Sequence, residues 1–216
     1  MLRVDNLDVY IERTQILRGV SLALPKGAVA GLIGRNGAGK TTLMRSIMGL
    51  IRAAAGSIAI LGSDVTAAPA HGRAKLRVGY MPEDRRLIPE LTVEENILVP
   101  AWANGVPDAS SRLAWIYDLI PEVAAFSGRR ALQLSGGQQK LVALGRALMA
   151  GENLLLLDEP FEGIAPALAH RLVEVLHAIK AEGLSILLSE SDYTHSVGLV
   201  DKVYVIERGA VAAKSH

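Results

Sequence analysis

The sequence predicts an α/β fold: a mainly parallel sheet covered by helices, with an antiparallel β subdomain at the N-terminus and a helical subdomain inserted in the middle. Three observations predict it. Strand-like and helix-like segments alternate through the 216 residues, the order that a parallel sheet with crossover helices produces. Leu154-Leu155-Leu156-Leu157 is a continuous apolar run, the pattern of a strand buried on both faces. A second apolar run, Val29 to Ile33, leads into a glycine-rich turn and then a helical pattern.

In chain order, Leu2 to Tyr10 and Gly19 to Leu24 alternate as strands do, with Pro25-Lys26-Gly27 as the turn between them. Val29 to Ile33 is the next strand. Lys40 to Met48 reads as a helix that Gly49 closes. Ser57 to Leu61 and Arg77 to Met81 are strands. Thr92 and Glu95 form a capping box that opens a helix through Leu98. Leu113 to Ile120 is helical, with Pro121 as its stop. Residues 85–133, approximately, form the inserted helical subdomain. After Pro166, Leu168, Leu172, Val175, Leu176 and Ile179 follow helical spacing up to Gly183. Ser185 to Ser189 and Lys202 to Glu207 are the last strands.

Composition narrows the class. Half of the residues are hydrophobic, enough for a sizeable core. The net charge is +1, with 23 basic and 22 acidic residues, which gives no electrostatic case for nucleic acid as the main partner. There is no cysteine, so disulfides and thiolate metal sites are excluded. The N-terminus lacks a signal-peptide pattern, and no uncharged apolar stretch reaches the roughly 18 residues of a membrane span. A cytosolic chain is expected, and any membrane attachment must come through partners.

Three motifs carry chemistry. Gly34-Arg35-Asn36-Gly37-Ala38-Gly39-Lys40-Thr41-Thr42 is a P-loop, so the α/β core is of the P-loop NTPase type. Gly34 and Gly39 let successive N–H groups turn inward onto phosphates. Lys40 adds a charge for the β- and γ-phosphates, Thr41 offers a hydroxyl to Mg²⁺, and the helix N-terminus adds its dipole. A glycine-rich turn by itself would read the same; the strand before it and the helix after it favour nucleotide binding. The apolar run ending at Asp158-Glu159-Pro160 supplies two acids at a strand's carboxyl end, where ligands of parallel sheets bind. Asp158 is placed to hold Mg²⁺ opposite Thr41, and Glu159 to polarise an attacking water. Leu134-Ser135-Gly136-Gly137-Gln138-Gln139-Lys140 reads as a capped helix start, with Ser135 as N-cap and Gln138 at the third position. It is also a second phosphate-binding helix end. Two such ends make sense if two subunits face each other, each lending its Ser-Gly-Gly end to the other's ATP.

Together, in this order, the motifs resemble the ATP-binding subunit of ABC transporters over nearly the whole chain, read as one ABC ATPase domain over 1–216. The stretches Tyr80 to Asn96, Gly145 to Met149 and Glu159 to Pro166 are similar to the branched-chain amino acid uptake branch, whose relatives also move amides, urea and other small solutes. The resemblance implies membrane-spanning permease subunits, a second ABC ATPase subunit (the same or a sister chain) and, indirectly, a solute-binding protein. It places Glu83 where most relatives carry a glutamine that senses Mg²⁺ and the γ-phosphate, and Ser191 where relatives place a γ-phosphate histidine. His195 reads as a helix-surface residue. Ala165 replaces an acid usual in the loop after the glutamate. The adenine-stacking aromatic aligns with Ile11, with Tyr10 beside it, and a one-residue shift would bring in the flat ring of Tyr10. The expectation is an ATPase that powers uptake of a small solute. The alternatives are a soluble ABC ATPase without a transport role and a regulatory ATP-binding subunit with weak hydrolysis, the latter suggested by Ser191 and Glu83.

Overall fold

A computed structural model describes residues 1–214. Among them, ten strands form two sheets. The first is antiparallel, in the order β2-β1-β4-β5, with β1 at Leu2–Ile11, β2 at Thr14–Leu24, β4 at Ala55–Ile60 and β5 at Ser63–Asp64. The second has the order β10-β9-β3-β8-β7-β6. Its strands β3 (Val29–Ile33), β6 (Val78–Met81), β7 (Leu154–Asp158), β8 (Ser185–Glu190) and β9 (Lys202–Glu207) run parallel, and β10 (Ala210–Lys214) closes one edge antiparallel to β9.

The all-apolar strands follow from what lies on either side. Successive side chains of a strand point to opposite faces. Leu155, Leu157, Ile186 and Leu188 enter one core, with α3 (Val93–Asn104), α4 (Ala109–Leu119), α5 (Pro121–Ala125), α6 (Gly136–Ala150) and α7 (Pro166–Ala181). Leu154, Leu156 and Leu187 enter the other, with α1 (Lys40–Ile47) and the antiparallel sheet. A polar residue on either face would lie in apolar surroundings.

Several boundaries differ from the sequence reading. The β1–β2 turn falls at Glu12-Arg13, and Pro25-Lys26-Gly27 leads from β2 into β3 instead. Strand β2 starts at Thr14, five residues earlier than Gly19; Gly19 itself lies at φ 56° inside it, an irregularity that masks the alternation. Helix α4 ends at Leu119, just before Pro121 as expected, but Pro121 also opens α5 as its first residue, where its missing N–H costs nothing. Helix α3 continues past Leu98 to Asn104, through Pro100. The short helix α2 (Ala70–Ala74) and strands β5 and β10 were not foreseen.

One unforeseen residue supports the P-loop helix from below. Arg73 of α2 is 2 % exposed and has its guanidinium among backbone carbonyls. It donates to Ser46 O and Ile47 O at 2.6 and 2.7 Å, and to Thr66 O and Ala68 O at 3.0 and 3.1 Å. Both Ser46 O and Ile47 O lie at the C-terminal end of α1, the negative pole of that helix; Ser46 O also accepts from Gly49 N–H at 3.0 Å, and Ile47 O is left to the arginine.

Candidate functional site

Four parallel strands end at one edge of the large sheet, and each delivers a chemically active segment there. The register sets Ile33 beside Glu190, Asp158 beside Ser189, and Met81 beside Leu157. The glycine-rich loop after β3, Glu83 after β6, Asp158 and Glu159 at the end of β7, and Glu190 and Ser191 at the end of β8 therefore converge.

A cavity of about 340 Å³ opens at this edge. It is lined by Asn36, Gly37, Gly39, Lys40, Thr41 and Thr42 on one side and by Glu83, Glu159 and Glu162 on the other. The two glycines singled out from sequence are needed for different reasons. Gly39 lies at φ 113°, a conformation other residues rarely adopt. Gly34 needs no unusual φ; a Cβ there would sit 2.3 Å from the carbonyl oxygen of Ile206. Arg35 and Ala38 do not line the cavity; they close the turn through Ala38 N–H to Arg35 O at 3.0 Å.

Lys40 is 5 % exposed. Its ammonium donates to Gly34 O and Arg35 O and stands 3.0 Å from Glu159 Oε1. That approach is an ion pair without hydrogen-bond alignment, which leaves Oε1 without a hydrogen-bond donor. Glu159 itself sits at φ 50°, in the left-handed region. Its N–H donates to Ser189 Oγ at 3.0 Å, and Ser189 in turn donates to Asp158 Oδ1 at 2.8 Å.

Asp158 is fully buried. Burial raises its pKa above the usual carboxylate range, opposed by hydrogen bonds from Ser189, Thr41 and Tyr80. The structure thus brings together Thr41 and Asp158, the hydroxyl and carboxylate expected to hold a divalent cation. Among the described residues no three His, Cys, Asp or Glu side chains cluster into a cage. Thr41 and Asp158 offer the hard oxygens that Mg²⁺ accepts from one or two side chains, its remaining positions taken by water and substrate phosphates. Glu83 is exposed at the cavity wall. Its pKa is raised by partial burial and by Glu162, Asp158 and Glu159.

On the far side of Glu159 lies a smaller cavity of about 150 Å³, lined by Phe161, Glu190, Ser191, Asp192 and His195 together with Glu159 and Glu162. Ser191 therefore lines this second cavity together with the glutamate and does not line the P-loop cavity. His195 is not on a helix surface. Residues 191–199 form bends and turns, and the His195 ring packs at 5.1 Å from Phe161.

The Ser135 end is elsewhere. The capping box is complete, with Gln138 N–H to Ser135 Oγ at 3.3 Å and Ser135 N–H to Gln138 Oε1 at 3.0 Å. Ser135, Gly137 and Gln138 line a separate cavity of about 390 Å³ shared with Gly163, Ile164 and Ala165, and Gly136 faces the Arg85 guanidinium. Ala165 is the N-cap of α7 and offers it no side-chain acceptor.

Tyr10 and Ile11 are both nearly half exposed, and neither lines the P-loop cavity. The pairing slips between Val9 and Tyr10 but runs regularly from Tyr10 to Ile11, so strand alternation still sends these two side chains opposite ways. The apolar wall of the cavity is Ile16, which sequence reading missed because it began β2 too late. Glu162 was missed as a site residue as well; its only signal was its place three residues after Glu159.

The glycine loop, the acids of β7 and the capped Ser-Gly-Gly helix define a nucleotide-hydrolysing module of the parallel-sheet type. The model of the ABC transporter family matches residues 17–162. The chain belongs to that family, as an ABC-type ATPase. It is 35 % identical to the high-affinity branched-chain amino acid transport ATP-binding protein BraG of Pseudomonas aeruginosa, over 98 % of this chain and 91 % of that one. It is 29 % identical to the lipopolysaccharide export system ATP-binding protein LptB of Haemophilus influenzae, over 99 % and 89 %. The fold superposes with a TM-score of 0.86 on an ATP-binding cassette of an ABC transporter solved in its ADP conformation, at 29 % identity over 98 % of this chain and 89 % of the other. Among the described residues no helix is long and apolar enough to cross a membrane.

Proposed function

We propose that this chain is the ATP-hydrolysing subunit of a transporter that takes up a small solute, a branched-chain amino acid or a chemical relative. The observation that carries the chemistry is the single cavity in which Lys40, Thr41, Glu83 and Glu159 meet at the carboxyl ends of parallel strands. Similarity to BraG over nearly the full chain supports the cargo.

Residues 1–216 act as one ATPase domain, with 85–133 as its helical subdomain. Loop amides from Gly34 to Thr42 and the Lys40 ammonium hold the phosphates. Thr41, Asp158 and Glu83 hold Mg²⁺, which neutralises charge on the phosphates when bound. Glu159 accepts a proton from the water that attacks the γ-phosphorus, and Ser191 lies beside it to donate a hydrogen bond. Ser135, Gly136, Gly137 and Gln138 complete the site of a second ATPase subunit, and that subunit returns the same end. Ile16, with Tyr10 nearby, takes the base. Such a reaction depends on positioning and charge stabilisation. The assembly sits on membrane-spanning permease subunits at the inner face of the membrane and is served by a solute-binding protein.

A second cargo reading rests on the likeness to LptB: an export assembly. A tagged pull-down from detergent-solubilised host membranes, read by mass spectrometry, tests both. Multi-span permeases with a solute-binding protein support uptake, a lipid-export permease supports the second reading, and soluble partners alone refute the transporter.

A further inference from the structure

The largest fully buried side chains include a charged one that the proposed chemistry does not use. Lys140 is in α6 and 2 % exposed, and among the described residues no carboxylate stands at ion-pair distance from it. Its ammonium donates to two main-chain carbonyls, Glu159 O at 2.7 Å and Glu162 O. Burial pushes its pKa down to about 8. Placing an ammonium among apolar groups is costly, and an apolar side chain of the same length would fill the space with no such cost. What the ammonium does that a methyl cannot is hold two carbonyls at once.

Those carbonyls bound the turn that carries the glutamate. Glu162 N–H closes the same turn onto Glu159 O at 3.2 Å. Glu159 is at φ 50°, a strained conformation for a residue with a Cβ, which persists only where its surroundings fix it. Its side chain must face Lys40 across the cavity, and its peptide is held from two sides: Ser189 Oγ accepts from its N–H, and Lys140 donates to its O. Helix α6 also begins at Ser135, the end that lines the separate cavity. One rigid helix thus carries both the Ser-Gly-Gly end and the cation that ties down the glutamate.

We propose that Lys140 is a positioning residue for hydrolysis: it fixes the left-handed turn at Glu159 so that the carboxylate faces the P-loop, and it links that carboxylate to the Ser135 end of the same helix. This rests on the reading of Glu159 as the residue that activates water.

The test is steady-state ATPase kinetics of the assembled complex with Lys140→Met, Lys140→Arg, Glu159→Gln and the Lys140→Met/Glu159→Gln double variant. Misplacement of a reacting group costs about 10- to 100-fold, so Lys140→Met is expected to lower kcat by about that factor while KM for ATP stays within about twofold. Lys140→Arg, which restores donors, recovers most of the rate. In the Glu159→Gln background the Met change leaves residual turnover as it was, because no carboxylate remains to position. Turnover of Lys140→Met within twofold of wild type, a parallel loss in kcat and KM, or additive losses in the double variant would overturn the proposal. If Lys140→Met fails to fold, Lys140→Gln, which reaches one carbonyl, must show the same kcat loss at constant KM. Wild-type turnover in Glu159→Gln alone would instead remove the role of Glu159, and this inference with it.

Discussion

The ion pair between Lys40 and Glu159 competes with the nucleotide. The two charges are 3.0 Å apart, with side chains 5 % and 7 % exposed. A phosphate entering the glycine loop asks for the same ammonium. With an effective permittivity of about 20, the pair is worth about 5–6 kcal/mol of gross Coulomb energy. Most of this is offset by desolvation, and Lys40 keeps the Gly34 and Arg35 carbonyls as acceptors whichever partner it has. If a quarter to a third of the gross attraction must be overcome, removing the competing charge yields about 1–2 kcal/mol, or about 5- to 30-fold in affinity. Glu159→Gln should therefore tighten ADP by about that factor in a calorimetric titration of the dilute subunit. ADP is the informative probe, since it lacks the γ-phosphate through which two subunits would be drawn together, and any gain comes from within one cavity, where Lys40 is released and the Glu159 charge no longer repels the phosphates. Because both groups are buried, the gain should persist at high salt. An ADP affinity within twofold of wild type, or weaker, would refute the reasoning even if turnover is lost.

Two further predictions concern the scaffold. Arg73→Met takes this donor from the Ile47, Thr66 and Ala68 carbonyls and leaves Ser46 O with Gly49 N–H alone; at about 1–3 kcal/mol per unsatisfied group, partly offset by not burying a guanidinium, urea unfolding should show a loss of about 3 kcal/mol, and a loss under about 1 kcal/mol would refute the capping role. Glu190 is pushed up to about 7 by burial, with Asp192 and Glu159 adding to the rise and the Ser196 hydroxyl opposing it. The folded chain then binds more protons than the unfolded one between the ordinary value of 4.5 and about 7, so stability falls as pH rises through that window. Glu190→Gln removes this slope and should stabilise the chain at pH 8 but not at pH 4.5; equal urea midpoint shifts at both would refute it.

What could be read from the sequence is what neighbouring residues decide. Thr92 with Glu95 and Ser135 with Gln138 each form both bonds of the capping box, because both partners lie within one turn. The leucines of β7 could be read as a central strand because each face of the sheet demands an apolar side chain there. What escaped was decided at a distance. Arg73 looks like any surface arginine until α1 is folded over it. Lys140 reads as part of a motif, while its acceptors are the carbonyls of Glu159 and Glu162. Strand β10 is mostly small residues, and pairing with β9 makes it a strand through a turn at Arg208 and Gly209, both at positive φ. His195 lost its expected helix because residues 191–199 bend around the cavity beside Glu159 and pack the ring on Phe161. Ile16 reached the cavity wall through a strand start that Gly19 obscured.

On the proposed reading of the site, the charges explain why nucleotide and Mg²⁺ would belong together. Glu83, Asp158, Glu159 and Glu162 crowd the P-loop edge, and each of the other three raises the pKa of Glu83. Lys40 is the cation that faces this set in the cavity, and it is already committed to Glu159. A bare triphosphate would add negative charge to a wall that repels it. Bringing Mg²⁺ reverses the sign of the encounter: the acids on β7 and after β6 become an asset, and Lys40 is freed to follow the phosphates. A glutamate at position 83 then costs less than its loss of an amide donor suggests, because its carboxylate adds to the attraction for the metal. On this reasoning the acids that make the site hostile to a free anion make it selective for a metal-bound one.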